Sequence, residues 1–300
     1  MRRAHWLLVV VGGALSATLA KSAAAEAAPN RWQSDEYYAL HGGAIALLMG
    51  GAVAAELWFP NVCAGPDSCW FPGDRSVRQN HSLPARQLSD ATVLLAIGAP
   101  LAASFGRGAD ARFANTELVY GESLALSTSL HSLVKFAVRR PRPYTYQLQP
   151  GAACETKDCS VSFYSGHAST AFAAAVAGSY LFAESARDRG SRYAMWGFEL
   201  ALASATSNLR VRGGMHYYSD VLVGALAGTS VGIVVPVLHG ERYRPDPWEF
   251  AAAGAGLLVG VSISQWLPSE GSQASRGTAS WSVLPVAFRA GSGLQVRGRF

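Results

Sequence analysis

Apolar residues gather in seven long runs, at 39–58, 91–105, 118–138, 168–183, 193–207, 221–238 and 250–266, with polar segments between them. Runs of this length suit helices, and no segment between them alternates with the period of a strand. The pattern predicts an all-α bundle of about six core helices plus one or more flanking helices. Pro100, inside the second run, predicts a kink or a break there. The tail changes character: in 281–300 valine, phenylalanine and leucine recur at two-residue intervals around Ala290-Gly291-Ser292-Gly293. That alternation predicts a short C-terminal β-hairpin, joined by a Ser/Gly-rich linker at 268–280 to a helical domain at 31–267.

The first thirty residues do not share this pattern. Arg2 and Arg3 precede a short apolar stretch at 6–20 and then a run of small residues, the order of a secretory signal ending near Ala25. Cleavage there removes Arg2, Arg3 and Lys21 and lowers the formal charge from +5 to +2. The basic balance therefore gives little support to a nucleic-acid partner. Four cysteines form two close pairs, Cys63 with Cys69 and Cys154 with Cys159, each inside a polar loop. In an exported chain this suggests disulfides, the local pairings being favoured. Zinc is the rival, but neither pair has Cys-x-x-Cys spacing or a histidine close by. Half of the residues are hydrophobic and 15% are charged, and the mean hydropathy of +0.14 falls between a soluble domain and a multi-span protein. The expected location is periplasmic, soluble or membrane-associated. The alternative is an integral inner-membrane protein whose site faces the periplasm, since the runs are long enough to cross a bilayer.

Three stretches carry candidate chemistry. Lys135 stands near the end of the third run and is followed by Arg139-Arg140-Pro141-Arg142-Pro143. A helix end leading into proline-stiffened chain can aim the Lys135 ammonium and the Arg142 guanidinium at one point, with Arg139, Arg140 and Arg212 expected on the solvated rim. Tyr164-Ser165-Gly166-His167-Ala168 opens the fourth run. A helix N-terminus there offers free N–H groups and partial positive charge. Ser165 adds a hydroxyl, Gly166 allows close approach of an anion, and His167 can move a proton near neutral pH. Arg210, His216 and Asp220 stand at the entrance to the sixth run. Four residues apart on a helical turn, Asp220 would hydrogen-bond one ring nitrogen of His216 and raise the basicity of the other, making a nucleophile or base.

In this order, Lys-x6-Arg-Pro, Ser-Gly-His and Arg-x5-His-x3-Asp resemble the motifs of the type 2 phosphatidic acid phosphatase/vanadium haloperoxidase superfamily, over roughly residues 118–238. The resemblance implies a phosphatase acting on a phosphomonoester or diphosphate, the substrate expected to be lipid-linked (phosphatidate, a polyprenyl diphosphate or a lipid A phosphate), without metal or cofactor. It implies that Lys135, Arg142, Ser165, Gly166 and Arg210 bind phosphate and that His216, oriented by Asp220, attacks phosphorus to form a phosphohistidine. His167 would protonate the leaving alkoxide. Charge stabilisation by three cations is the chief need of phosphoryl transfer. The alternatives are a soluble nonspecific acid phosphatase, a vanadate-dependent haloperoxidase and a non-catalytic anion- or lipid-binding protein. The chain departs from the family pattern at Tyr164, usually proline, and at Leu209, usually a serine whose hydroxyl stands beside the arginine.

Overall fold

The structure is a computed structural model that describes residues 71, 73–106, 111–147, 157–186, 188–266, 280–288 and 291–299, together with scattered helical positions between 39 and 50. The signal segment, most of the first apolar run, and Cys63, Cys69 and Cys154 lie outside the described residues. Cys159 is buried. The chain forms two compact units, Met1–Leu267 and Pro268–Phe300.

Six α-helices are described in the first unit: α1 (Leu83–Phe105), α2 (Ala111–Val138), α3 (Gly166–Ser185), α4 (Arg189–Arg212), α5 (Tyr218–Leu238) and α6 (Pro247–Gln265). Their starts follow from side chains that satisfy the orphan N–H groups of a first turn. Ser82 accepts from Ala85 N, Ser165 from Ala168 N, Asp188 from Ser191 N, and Asp246 from Trp248 N and Glu249 N. Pro100 does not end α1, which runs through it to Phe105. In the second unit, β1 (Ser280–Phe288) and β2 (Gly291–Arg299) pair antiparallel, with Ser280 opposite Arg299 and Phe288 opposite Gly291.

The alanine-rich α3 is the central helix and is buried along most of its length. It lies against α5 through Gly224, Gly228 and Gly232, spaced one helical turn apart. A Cβ on Gly228 would stand 2.1 Å from the Ser169 carbonyl oxygen, and one on Gly224 would stand 2.6 Å from that of Ser165. Only glycine lets the two backbones approach this closely. The same device joins α6 to α4, where a Cβ on Gly256 would meet the Gly197 carbonyl at 2.1 Å. Close packing of α3 on α5 brings their N-termini together, and Ser165 N donates to the Asp220 carbonyl at 3.1 Å.

Three of these helices, α1, α5 and α6, are long and apolar enough to cross a membrane. Much of their apolar surface is exposed, including Leu94, Leu95, Leu222, Leu226, Leu258 and Ile263. A soluble core would bury such side chains.

Candidate active site

Lys135 lies in the last turn of α2, which closes with Arg139 in the left-handed conformation at φ 50°. Pro141 cannot continue a helix, so the chain turns there and sends its arginines inward. Arg142 is buried. Its Nε donates to the Asp158 carbonyl at 2.7 Å, its Nη2 to Asp158 Oδ1 at 2.8 Å, and its Nη1 to the Met215 carbonyl at 2.9 Å. Arg210, from the last turn of α4, is also buried and donates from Nη1 to Ser89 Oγ and Asp90 Oδ1, both at 3.2 Å. Its buried Nε has no hydrogen-bond partner among the described residues. Enclosure first, and then the charges of Arg142 and Arg210, push Lys135 down to about 7. Enclosure and Arg142 push Arg210 down to about 9. Three cations held this close repel one another until an anion lies between them.

At the start of α3, Ser165 Oγ accepts from Ala168 N at 3.3 Å, a bond that leaves the hydroxyl proton to another partner. Gly166 has a reason that the sequence did not give. A Cβ there would lie 2.8–2.9 Å from the imidazole ring of His131, which covers this backbone from α2. Gly166→Ala is accordingly expected to destabilise the fold by about 1–3 kcal/mol through overpacking. Thermal unfolding would register this as a fall of several degrees in Tm, and an unchanged Tm would mean that the His131 ring moves aside freely.

His167 bonds through Nε2 to Asp90 Oδ1 at 2.7 Å, and the same carboxylate oxygen receives Arg210. Its side chain is 31% exposed. Enclosure and then Arg210 push the ring down to about 3, against the opposing pull of Asp90. Tyr164, next to this turn, is buried, and the peptide bond between it and Phe163 is cis.

His216 does not stand on a helical turn with Asp220. It precedes α5, and Asp220 is the third residue of that helix, closing its first turn by accepting from Tyr217 N at 3.0 Å. The chain arrives there from Arg210 through Gly214, whose φ of 66° and approach to the Asn80 carbonyl both require glycine. His216 is fully buried, and its Nδ1 meets the Ser162 carbonyl at 2.8 Å, whereas Asp220 Oδ2 stands off at 3.6 Å. A carbonyl only accepts, so Nδ1 carries the proton and Nε2 presents its lone pair, 3.3 Å from Arg142 Nη1. Enclosure, followed by Arg142, Arg210 and Lys135, holds the ring well below the ordinary histidine range, and therefore neutral. Asp220 acts through other partners: it accepts from Ser162 Oγ at 2.5 Å and from Arg140 Nη1 at 2.6 Å.

Arg140 is not on a solvated rim. Only 2% of its side chain is exposed, and it bridges Asp220 to the fully buried Asp74, Nη2 to Oδ2, at 2.7 Å. Asp74 also accepts from Ser219 N at 3.1 Å and Ser219 Oγ at 2.6 Å. Arg212 lies apart from this network and donates to the Ser264 carbonyl.

Lys135, Arg142, Ser165, Gly166, His167, Arg210, His216 and Asp220 thus come from four helix ends and two loops. The His216 ring feels Arg142, Arg210, Lys135 and His167 together. Residues 116–244 match the family model of the PAP2 superfamily. The chain carries a PAP2 superfamily domain. Among curated proteins and solved structures, no significant match to the chain was found. Asp74, Ser89 and Asp90 lie before the matched PAP2 segment, yet they support Arg140, Arg210 and His167 within it. They carry no motif spacing that would have singled them out. Leu209 is buried, and the Oγ that meets Arg210 in this PAP2 domain belongs to Ser89.

Proposed function

We propose that the PAP2 domain hydrolyses phosphomonoesters or diphosphates through a phosphohistidine on His216. The observation that carries this reading is the Nε2 lone pair of a neutral, buried His216, aimed at Arg142 in a pocket also lined by Lys135 and Arg210. Phosphate oxygens would lie among the three cations, Ser165 Oγ and the backbone of Gly166. His216 Nε2 attacks phosphorus, the phosphorus–oxygen bond to the leaving group breaks, and His167 supplies the proton that the leaving oxygen needs. Water then attacks the phosphohistidine and releases inorganic phosphate. Enclosure and then the charge of Arg210 keep His167 neutral, and a bound phosphate opposes both, which favours the charged acid when substrate is present. The pocket is built of cations and hydrogen-bond donors, which suffice to stabilise a transferring phosphoryl group without a metal.

A lipid-linked substrate is part of this proposal, supported by the exposed apolar faces of α1, α5 and α6. The exported, periplasmic location and the local pairings Cys63–Cys69 and Cys154–Cys159 belong to it as well. The test is phosphate release by the purified full chain, with chelator present, from phosphatidate, a polyprenyl diphosphate, a lipid A phosphate and a soluble aryl phosphate. Release without metal and preference for the lipids are expected. Preference for the soluble ester would change the substrate class, and turnover only with vanadate, peroxide and halide would replace the reaction.

The cradle also sets a pH dependence. With its pKa at about 7, Lys135 is cationic below that pH and neutral above it. Tungstate, a phosphate mimic that remains a dianion across this range, should therefore bind more weakly as pH rises above about 7, with Kd climbing by up to about tenfold per unit. Lys135→Met should flatten the profile. A tungstate Kd in the unaltered protein that does not change between about pH 6 and pH 9 would remove Lys135 from the cradle.

A further inference from the structure

We propose that His41, Glu122 and His239 form a binding site for a divalent transition-metal ion, zinc by preference, at a place remote from the phosphate pocket. Glu122 lies on α2 thirteen residues before Lys135, and His239 follows the last residue of α5, nineteen residues after Asp220. At the rise of an α-helix these separations put the cluster about 20–28 Å from the pocket. His41 comes from the helical positions before α1, so the site ties together three parts of the chain that are far apart in sequence.

The three side chains converge on one point. His41 Nδ1 is 2.5 Å from Glu122 Oε1, His239 Nε2 is 2.8 Å from Glu122 Oε2, and the two ring nitrogens are 3.2 Å apart. All three groups are largely shielded, with 23%, 11% and 8% of their side chains exposed for His41, Glu122 and His239. The other nitrogen of His239 meets the Val235 carbonyl at 2.8 Å. That nitrogen must donate, so in the neutral ring Nε2 is a lone pair, and it faces a carboxylate oxygen and a second imidazole. A backbone carbonyl behind a histidine is the usual way in which a metal-binding ring is oriented.

Lone pairs that face one another at these distances need a positive centre among them. Two imidazoles and one carboxylate suit zinc or ferrous iron, and supply too few oxygens for calcium or magnesium. Tetrahedral bonds of about 2.0 Å would place donor atoms roughly 3.3 Å apart. The two ring nitrogens already have that separation. The carboxylate has to swing outward by less than about 1 Å, well within reach of a glutamate side chain. Three protein ligands leave a fourth position open to water.

The test uses the full chain, stripped of metal by chelator, with zinc alone as the probe. Calorimetric titration is expected to show one zinc per chain and a rise in Tm with zinc. His41→Ala, Glu122→Gln and His239→Ala should each weaken binding by on the order of a hundredfold or more while retaining phosphatase activity, which reports that they fold. His239→Cys gives a second reading that does not depend on loss. It should retain metal, and with cobalt it should show the thiolate charge-transfer band that only a direct ligand produces. Absence of stoichiometric zinc uptake would overturn the proposal and leave a proton as the shared positive centre. Undiminished affinity in all three loss variants, or a cysteine variant without the cobalt band, would overturn it equally.

Discussion

Replacing His216 by alanine should lower kcat for phosphate release by about four to six orders of magnitude, the range seen when a covalent nucleophile is removed. The prediction is specific because binding and chemistry should separate. Lys135, Arg142 and Arg210 remain in the variant, and the two arginines are held by contacts that do not involve the imidazole, apart from the 3.3 Å approach of Arg142 Nη1. Tungstate affinity should therefore change little while turnover disappears. Quenching the unaltered protein in alkaline detergent during turnover of a radiolabelled substrate should trap label on the chain in an acid-labile, base-stable form, and His216→Ala should trap none. His216 is fully buried, so His216→Asn, which refills part of its volume, guards against reading a folding defect as a catalytic one. Turnover that survives in both variants would remove His216 as the nucleophile.

Arg140→Met should destabilise the protein by about 3–5 kcal/mol, the cost of breaking a buried ion pair from one side. Arg140 is the shared counter-charge of Asp74 and Asp220, both fully buried, and its guanidinium also lies 4.0 Å over the Tyr217 ring. Without it, two carboxylates remain enclosed with hydroxyl and backbone donors but no cation. The loss should be greatest at neutral pH and shrink as pH falls, because enclosure already raises the Asp220 carboxyl, Arg140 opposes that rise, and protonation of Asp220 removes its uncompensated charge. Adding Asp74→Asn to Arg140→Met should restore part of the stability, since one of the two stranded charges is then gone. Chemical denaturation of Arg140→Met, Asp74→Asn and the double variant measures this, and additive losses would show that the residues do not act as a network. Activity should fall as well, since Arg140 and Ser162 together position Asp220, and the Ser162 carbonyl positions His216.

These two residues differ in how far they can be read from the chain. His216 stands at a motif spacing beside Arg210 and Asp220, and its candidacy needs no structure. Arg140 sits in a run of arginines, and a charge run ordinarily means a solvated surface. Its burial depends on Asp74, sixty-six residues away in sequence. Asp90 is a similar case: nothing near it in sequence suggests that one carboxylate oxygen meets both His167 and Arg210. The choice of Ser162 as the partner of His216 Nδ1 is less legible still, because a backbone carbonyl is carried by every residue type.

Local sequence accounts for the helices and for the inventory of reactive groups. Apolar runs and capping residues act within a few residues of one another, which is why α1 to α6 fall on six of the seven predicted runs and why Ser165 caps α3. It also set the order of the cations and imidazoles along the chain. Which groups are charged, which are paired and which ring atom of His216 presents its lone pair follow from the packing of distant segments. Those properties depend on enclosure and on donors and acceptors brought in by distant segments, here by α1 and by the turn before it, and no local spacing encodes them.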